Sequence, residues 1–190
     1  MNKRICFSIK DNVAEVKLNR ADKHNALDHE MFEAIIKAGD QIAQDDSIRA
    51  VLLYGAGDSF CAGIDLTMFA DEGLARNFTK RMKPRDHSLA NYYQSAAYVW
   101  REIPVPVIAV LHGAVYGGGL QVALGADIRY ANANMKLSIM EIKWGIIPDM
   151  SMTTSLPYLM GIDKALEMAM TADILDANDA FNKGLITTIE

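Results

Sequence analysis

The first half of the chain predicts strands and one long helix from the spacing of its apolar residues. Apolar and polar residues alternate at 5–9 and again at 13–18, which predicts an antiparallel hairpin. Apolar residues at helical spacing follow Asp28, a favourable N-cap, and end near residue 45, so we expect an amphipathic helix there. The run 48–54 is rich in Val and Leu and predicts a strand that is buried on both faces and parallel to a neighbour.

The second half predicts shorter elements on either side of a glycine-rich turn. The β-branched run 106–111 predicts a buried strand that leads into the glycines at 117–119, and residues 120–125 predict a buried helix after them. Residues 71–87 are charged and short of apolar periodicity, so we expect a mobile or exposed connection. The other expected elements are helices at 66–70, 89–100, 151–160, 163–170 and 176–183 and strands at 127–131, 135–139 and 185–189.

The glycines at 117–119 lie where a strand is expected to meet a helix. Glycine leaves backbone N–H groups unobstructed, and a helix N-terminus adds partial positive charge, so this corner suits a developing negative charge on a substrate oxygen. A tight turn that needs glycine only for close packing explains the same residues equally well.

Composition excludes several classes of function. The 190 residues are 51% hydrophobic and 23% charged, values typical of one globular domain with a sizeable core. The net charge of −5 and the lack of Lys/Arg blocks argue against nucleic acid and membrane partners, and no apolar run reaches membrane-spanning length. The two cysteines, Cys6 and Cys61, form neither a disulfide framework nor a metal-ligand pattern, so we expect no metal site and a cytoplasmic location.

Several short motifs occur together along nearly the whole chain. They are Asn25-Ala-Leu27, Phe60-Cys-Ala-Gly-Ile-Asp65, Pro106-Val-Ile-Ala109 with His112-Gly113, Gly117-Gly-Gly119 with Ala126-Asp-Ile-Arg-Tyr130, Glu141 with Gly145-Ile-Ile-Pro148, and Lys183-Gly-Leu185. In their order and approximate spacing they resemble the enoyl-CoA hydratase/isomerase (crotonase) superfamily. The resemblance implies an α/β fold, a crotonase-like spiral of ββα units, with residues 1–190 as its acyl-CoA-binding core domain.

Family members usually continue into C-terminal helices that complete the pocket and pack into trimers. We expect this chain to lack that helical trimerisation region. The resemblance implies a homotrimer or a dimer of trimers only where the region is present.

The resemblance also implies which residues would bind an acyl-CoA thioester. Its carbonyl oxygen would lie in an oxyanion hole made by the backbone N–H groups of Ile64 and Gly118, because charge develops on that oxygen during enolisation or attack. Coenzyme A would be part of the substrate, and no permanently bound cofactor is implied. Lys23 and Arg20 could meet coenzyme A phosphates or be solvated loop charges. The substrate and coenzyme A contacts implied by the resemblance are Lys23, Ala26, Ala62, Asp65, Gly117 and Gln121.

Three polar residues bear on the choice of reaction. Hydratases of the family use two glutamates, and here the first position is Gln121 and the second is Glu141. An amide cannot carry a proton, so Gln121 argues against ordinary two-carboxylate hydration and could instead hold Glu141 or a water. Asp149 stands where dienoyl-CoA isomerases have an acid and an aromatic-CoA dehalogenase has its nucleophile, although it could also cap the helix expected near residue 151. Those isomerases carry an acid where Gln121 stands, so that match is incomplete.

We therefore favour an enzyme that stabilises a thioester enolate and moves a double bond of an enoyl- or dienoyl-CoA, with Glu141 and Asp149 as acid and base. An enoyl-CoA hydratase with a single catalytic glutamate is the close alternative, and a dehalogenase- or hydrolase-like use of Asp149 is less favoured. A non-catalytic acyl-CoA-binding protein would also explain Gln121. Apolar residues that could line an acyl pocket, or simply fill the core, are Met140, Trp144, Met150 and Met152.

Overall fold

A six-stranded sheet organises the described part of the chain, which is residues 3–70 and 79–190 of a computed structural model. Its strands run in the order β1-β2-β3-β4-β6-β9, and β5, β7 and β8 form a second, three-stranded sheet. In chain order the strands are β1 (Ile5–Lys10), β2 (Val13–Leu18), β3 (Ala50–Gly55), β4 (Val107–Leu111), β5 (Ala114–Tyr116), β6 (Ile128–Ala131), β7 (Lys136–Ser138), β8 (Leu175–Asp176) and β9 (Thr188–Ile189).

The pairing of the main sheet confirms the hairpin and the parallel neighbour expected from the sequence. Strands β1 and β2 pair antiparallel with Ile5 opposite Leu18, whereas β2 to β3 and every later pair in the sheet are parallel. The expectation that 48–54 is buried on both faces is wrong. Along β3, buried residues alternate with half-buried ones such as Tyr54, whose hydroxyl donates to Glu15 on β2 at 3.3 Å, so one face of the strand keeps partial access to solvent.

The helices pack their apolar faces onto this sheet and onto each other. They are α1 (His29–Ala43), α2 (Tyr92–Glu102), α3 (Gly118–Leu124), α4 (Ile162–Thr171) and α5 (Ala177–Asn182). The carboxylate of Asp28 caps α1 by accepting the Met31 N–H at 2.8 Å, as the sequence predicts. A Cβ on Gly39 of α1 would overlap the Val99 side chain of α2, which shows how closely the two helices approach.

Two local expectations are wrong. Residues 151–160 do not form one helix; they make two short 3-10 helices, Met152–Thr154 and Leu156–Tyr158, and Ser151 provides no side-chain cap. Pro157 lies in the first turn of the second of these helices, and a proline cannot donate the backbone hydrogen bond that a continuous helix through this segment requires. Strands β5 and β8 were not predicted, because runs of three and two residues are too short to show periodicity.

The exposed connection expected at 71–87 lies partly outside the described residues, since 71–78 are not described. The part that is described contacts the helices. Arg85 pairs with Asp40 of α1, and the Arg81 guanidinium lies over the Tyr92 ring of α2 at 4.7 Å from its centroid.

One buried asparagine fastens the loop that follows β2. Asn25 is fully buried, its amide donates to the carbonyls of Ala56 (2.9 Å) and Ser59 (2.8 Å), and its Oδ1 accepts the Arg20 N–H at 2.8 Å. Its φ of 55° is in the left-handed region, which asparagine tolerates better than most residues. Asn25 thus ties the loop after β2 to the loop after β3.

Replacement of Asn25 by alanine should lower the free energy of unfolding by about 2–4 kcal/mol, because it leaves buried polar groups without hydrogen-bond partners and strains the backbone. Urea titration followed by circular dichroism measures the loss. Asn19→Ala is the matched control, since Asn19 is exposed and its amide makes a single bond to the Lys3 carbonyl. Equal losses in the two variants would contradict the anchoring role.

Candidate active site

Three loops, which follow β2, β3 and β4, are hydrogen-bonded to one another at the carboxyl edge of the sheet. The Leu27 N–H donates to the Gly63 carbonyl at 2.8 Å, and the Asp65 N–H donates to the Leu27 carbonyl at 3.0 Å. On the other side, the Phe60 N–H donates to the carbonyl of His112, in the loop after β4, at 2.8 Å. Since the carboxyl ends of parallel strands meet at one edge, these loops converge and form the wall of a cleft.

The cleft has a volume of about 340 Å³ and lies against the 3-10 helix Glu141–Trp144. Most of the residues expected to contact substrate line it; Gln121 does not, and lies behind Glu141. The expected residues on its wall are Lys23, Ala26, Ala62, Ile64, Asp65, Gly117, Gly118, Met140, Glu141 and Trp144, and those not singled out from the sequence are Gly63, Leu66, Phe69 and Ile146.

Ile64 and Gly118 are neighbours in this cleft. A Cβ on Gly118 would lie 3.4 Å from Ile64 Cγ1. Leu27 bonds to the carbonyl before Ile64 and to the N–H after it, so the Ile64 N–H points to the opposite side of the extended chain. Gly118 is the first residue of α3, where a backbone N–H has no partner within the helix. The two N–H groups are therefore suited to converge on one ligand oxygen.

Glu141 and Gln121 form a buried pair beside this corner. Their side chains are 4% and 2% exposed, and Gln121 Nε2 donates to Glu141 Oε1 at 2.7 Å. Burial raises the pKa of the Glu141 carboxyl, with a smaller contribution from the charge of Asp149. Gln121 Oε1 and Glu141 Oε2 have no hydrogen-bond partner among the described residues. The sequence hypothesis that Gln121 holds Glu141 agrees with this bond.

Asp149 lies in an adjoining compartment of about 370 Å³ rather than in the cleft itself. The two spaces share Ile64, Phe69 and Ile146 as lining residues. Asp149 is an exposed residue, and desolvation by the surrounding protein nevertheless raises the pKa of its carboxyl. The alternative that Asp149 caps a helix is wrong, because the 3-10 helix Met152–Thr154 has Ser151 as its N-cap residue, and Asp149 accepts the Ser151 N–H at 2.9 Å through its backbone carbonyl.

Arg20 is held inside the protein and is not free for a phosphate. Its Nη1 lies 2.6 Å from Asp65 Oδ2 and 3.1 Å from the Ala26 carbonyl, and both partners of the ion pair are largely buried. Burial alone would raise the pKa of Asp65, but bonds from Thr67 and from Arg20 lower it to about 2. Arg20 and Asp65 therefore brace the loop that carries Ile64, while Lys23 is the cation that lines the cleft.

The methionines expected around an acyl chain are placed unevenly. Met140 lines the cleft and Met150 the adjoining compartment, whereas Met152 is in the hydrophobic core. Tyr93 of α2 also lines the compartment and was not singled out from the sequence, since one tyrosine in an amphipathic helix carries no signal of its own.

Residues 3–70 and 79–190 contain no cluster of three or more His, Cys, Asp or Glu side chains placed to hold a metal ion. Over the same residues, no helix is both long enough and apolar enough to cross a bilayer.

The raised pKa of Glu141 predicts how stability depends on pH. The folded state holds the Glu141 proton more tightly than the unfolded state, so this residue favours folding below its ordinary pKa of 4.5 and disfavours it as pH rises through the folded value. Glu141→Gln should therefore raise the thermal midpoint in neutral buffer and flatten its decline from acid to neutral pH. Differential scanning calorimetry measures both. Glu167→Gln, on the exposed face of α4, is the control, and a fall in midpoint for Glu141→Gln alone would refute the interpretation.

The sequence profile described as Enoyl-CoA hydratase/isomerase matches residues 8–190. Mouse mitochondrial Delta(3,5)-Delta(2,4)-dienoyl-CoA isomerase is 30% identical over 185 residues, which is 96% of this chain and 57% of that protein. A Bacillus subtilis protein named as a probable enoyl-CoA hydratase is 33% identical over 164 residues, or 86% of this chain and 60% of its own length. This chain thus spans less than two thirds of the length of these relatives.

Solved structures show the same architecture. An enoyl-CoA hydratase from Shewanella pealeana matches with a TM-score of 0.88 at 25% identity, over 100% of this chain and 69% of that one. A hydratase-like protein from Thermobifida fusca, in complex with acetoacetyl-CoA, matches with a TM-score of 0.87 at 27% identity, over 99% of this chain and 74% of that one. The crotonase-like α/β fold expected from the sequence is confirmed, and the chain belongs to the enoyl-CoA hydratase/isomerase family.

Proposed function

We propose that this protein binds an acyl-CoA thioester and moves a double bond along its acyl chain. The observation that carries the proposal is the placement of two carboxyls with raised pKa, Glu141 and Asp149, in adjoining spaces on either side of Ile64. One carboxylate takes a proton from a carbon of the acyl chain, and the other carboxyl, in its protonated form, returns a proton to a carbon further along. The acyl chain is neither oxidised nor reduced, so the reaction balances without a redox partner.

The N–H groups of Ile64 and Gly118 supply the electrostatic part of this mechanism. Removal of a proton next to a thioester places negative charge on the carbonyl oxygen, and donors already in position stabilise that charge without reorganisation. One donor of this kind lowers the activation barrier by about 2.7–4 kcal/mol in comparable sites. Bracing of the Ile64 loop by Arg20 and Asp65 supports such preorganisation.

The environment of each carboxyl supports its proposed role. A carboxyl with a pKa raised towards neutrality is a better proton carrier than one at its ordinary value. Gln121 is neutral, so it orients Glu141 at 2.7 Å without adding a second buried charge. Asp149 lines the adjoining compartment and not the cleft of Glu141, so in this proposal it serves a carbon beyond the one that Glu141 serves.

Coenzyme A would enter as part of the substrate along the wall that carries Lys23, Ala26, Ala62 and Asp65, with Gly117 beside the thioester and no permanently bound cofactor. Lys23, at the cleft, is the candidate partner for a phosphate. The cytoplasmic location, and a homotrimer or dimer of trimers in a longer chain, remain predictions.

Hydration of an enoyl-CoA is a second candidate, favoured by one specific observation. Glu141 lines the cleft together with Ile64 and Gly118, whereas Asp149 lies in the adjoining compartment. In that reaction Glu141 alone would deliver the proton and Asp149 would be dispensable.

Two substitutions separate these reactions. Glu141→Gln should lower turnover of enoyl- and dienoyl-CoA substrates about 10²–10⁴-fold while acyl-CoA binding persists, because the amide keeps the shape of the side chain and cannot transfer a proton.

Asp149→Asn should lower the rate of double-bond migration by a similar factor, measured by the ultraviolet absorbance of the conjugated product. If Asp149→Asn leaves migration intact, the isomerase proposal fails. Water addition that survives Asp149→Asn would establish the hydratase instead, and binding without turnover in the unmodified protein would indicate a non-catalytic binder.

The oxyanion hole can be tested apart from catalysis by comparing thioester ligands with thioether analogues that lack the carbonyl oxygen. We expect the saturated acyl-CoA thioester to bind at least about tenfold more tightly than the S-alkyl analogue of the same length, since two N–H donors would otherwise lose a partner. Isothermal titration calorimetry measures both affinities. Equal affinities would show that Ile64 and Gly118 do not receive the oxygen.

A further inference from the structure

Trp144 is a large, exposed aromatic side chain on the wall of the cleft. It is 55% exposed, whereas the second tryptophan of the chain, Trp100, is 1% exposed and donates its ring N–H to the Ala96 carbonyl at 3.0 Å. Trp144 makes no side-chain hydrogen bond to any described residue. Folding usually buries most of a tryptophan, so an exposed one on the wall of a concave site is accessible to a ligand.

The short helix Glu141–Trp144 places this ring on the solvent side of Glu141. A 3-10 helix has three residues per turn, so side chains at positions i and i+3 lie on the same face. Glu141 and Trp144 have this spacing, and both line the cleft. Because Glu141 is 4% exposed and Trp144 is 55% exposed, the cleft runs from the buried carboxyl outwards to the indole ring.

Trp144 lines the cleft and does not line the adjoining compartment that would receive the acyl chain. With the thioester oxygen at Ile64 and Gly118, the acyl chain would leave the cleft where the two spaces meet, at Phe69 and Ile146. The part of the ligand that stays in the cleft is therefore the part on the sulfur side of the carbonyl.

Charge limits which of those ligand groups lies at Trp144. Lys23 is the only cationic side chain among the described residues of the cleft wall, and the other ionisable side chains there are the carboxyls of Asp65 and Glu141. A phosphate would thus lie at Lys23, and the wall beside Glu141 favours an uncharged group. An indole suits such a group, because its face packs against methyl and methylene groups and its N–H can donate to an amide carbonyl.

We infer that Trp144 binds the uncharged pantetheine arm of coenzyme A, the amide-containing chain between the thioester sulfur and the phosphates. The inference rests on the proposed acyl-CoA function and adds a residue that contributes to affinity independently of the acyl group. It differs from the interpretation of the sequence, in which Trp144 lines an acyl pocket or fills the core.

Calorimetric titration of three ligands into the unmodified protein and into Trp144→Ala tests this assignment. The ligands are acetyl-CoA, octanoyl-CoA and S-octanoyl-pantetheine, which lacks the nucleotide and its phosphates. Trp144→Ala should weaken the binding of all three by the same factor, about tenfold, because each contains the arm and loss of an aromatic contact has a cost of this order.

Ile142→Ala is the matched control. Ile142 belongs to the same short helix and is 48% exposed, but it lines neither the cleft nor the compartment, so its replacement should leave all three affinities unchanged. Tryptophan fluorescence gives an independent readout. Saturation with octanoyl-CoA should change the emission of the unmodified protein, whereas Trp144→Phe should bind the ligand without that change, because Trp100 is buried in the core.

The inference is overturned if the loss is larger for octanoyl-CoA than for acetyl-CoA, which would place Trp144 on the acyl chain. It is also overturned if S-octanoyl-pantetheine escapes the loss, which would place Trp144 on the nucleotide, or if Trp144→Ala binds all three ligands normally. In each of these outcomes acyl-CoA still binds, so the proposed function stands as long as Glu141→Gln loses turnover. Failure of every ligand to bind the unmodified protein would refute the proposed function, and this inference with it.

Discussion

Hydrogen bonds between the loops after β2, β3 and β4 hold the site together, and most of its geometry depends on them. Leu27 is hydrogen-bonded to the chain on both sides of Ile64, and Phe60 is hydrogen-bonded to His112 in the loop after β4. Close approach is part of this constraint: a Cβ on Gly119 would overlap the Cys61 carbonyl, so only glycine lets α3 begin where it does. The donor position of Ile64 is consequently set by the sheet below it rather than by a mobile loop.

Burial of Glu141 links the stability of the protein to its proposed function. Burial of this side chain, which is 4% exposed, raises the pKa of its carboxyl and disfavours the ionised folded state. The same shift destabilises the fold at neutral pH and, in the proposed function, favours proton transfer. Gln121 lessens this destabilisation because it gives the carboxylate a hydrogen bond without a second charge. A glutamate in place of Gln121 would bring two carboxyls into contact and push one of them further towards its protonated form.

Ile64 connects the two spaces of the site. It lines both the cleft with Glu141 and the compartment with Asp149, and in the proposed function its backbone N–H receives the thioester oxygen. A substrate with its carbonyl at Ile64 and Gly118 would therefore be directed with its acyl chain past Phe69 and Ile146 towards Asp149 and Tyr93. In the proposed function this arrangement gives one fixed point for the thioester and one largely apolar path for the acyl chain.

The sequence by itself determined the hairpin, the parallel strand at 48–54, the N-cap of α1, the family and most of the residues on the cleft wall, because these follow from local periodicity, capping and short motifs. Only the tertiary structure showed that Arg20 pairs with Asp65, since residues 45 positions apart meet through sheet pairing that no local pattern encodes. The same holds for the division of the site into two spaces and for the break at 151–160. Periodicity specifies which face of an element is buried, whereas the partner that a polar side chain finds, or lacks, is decided by how the elements pack.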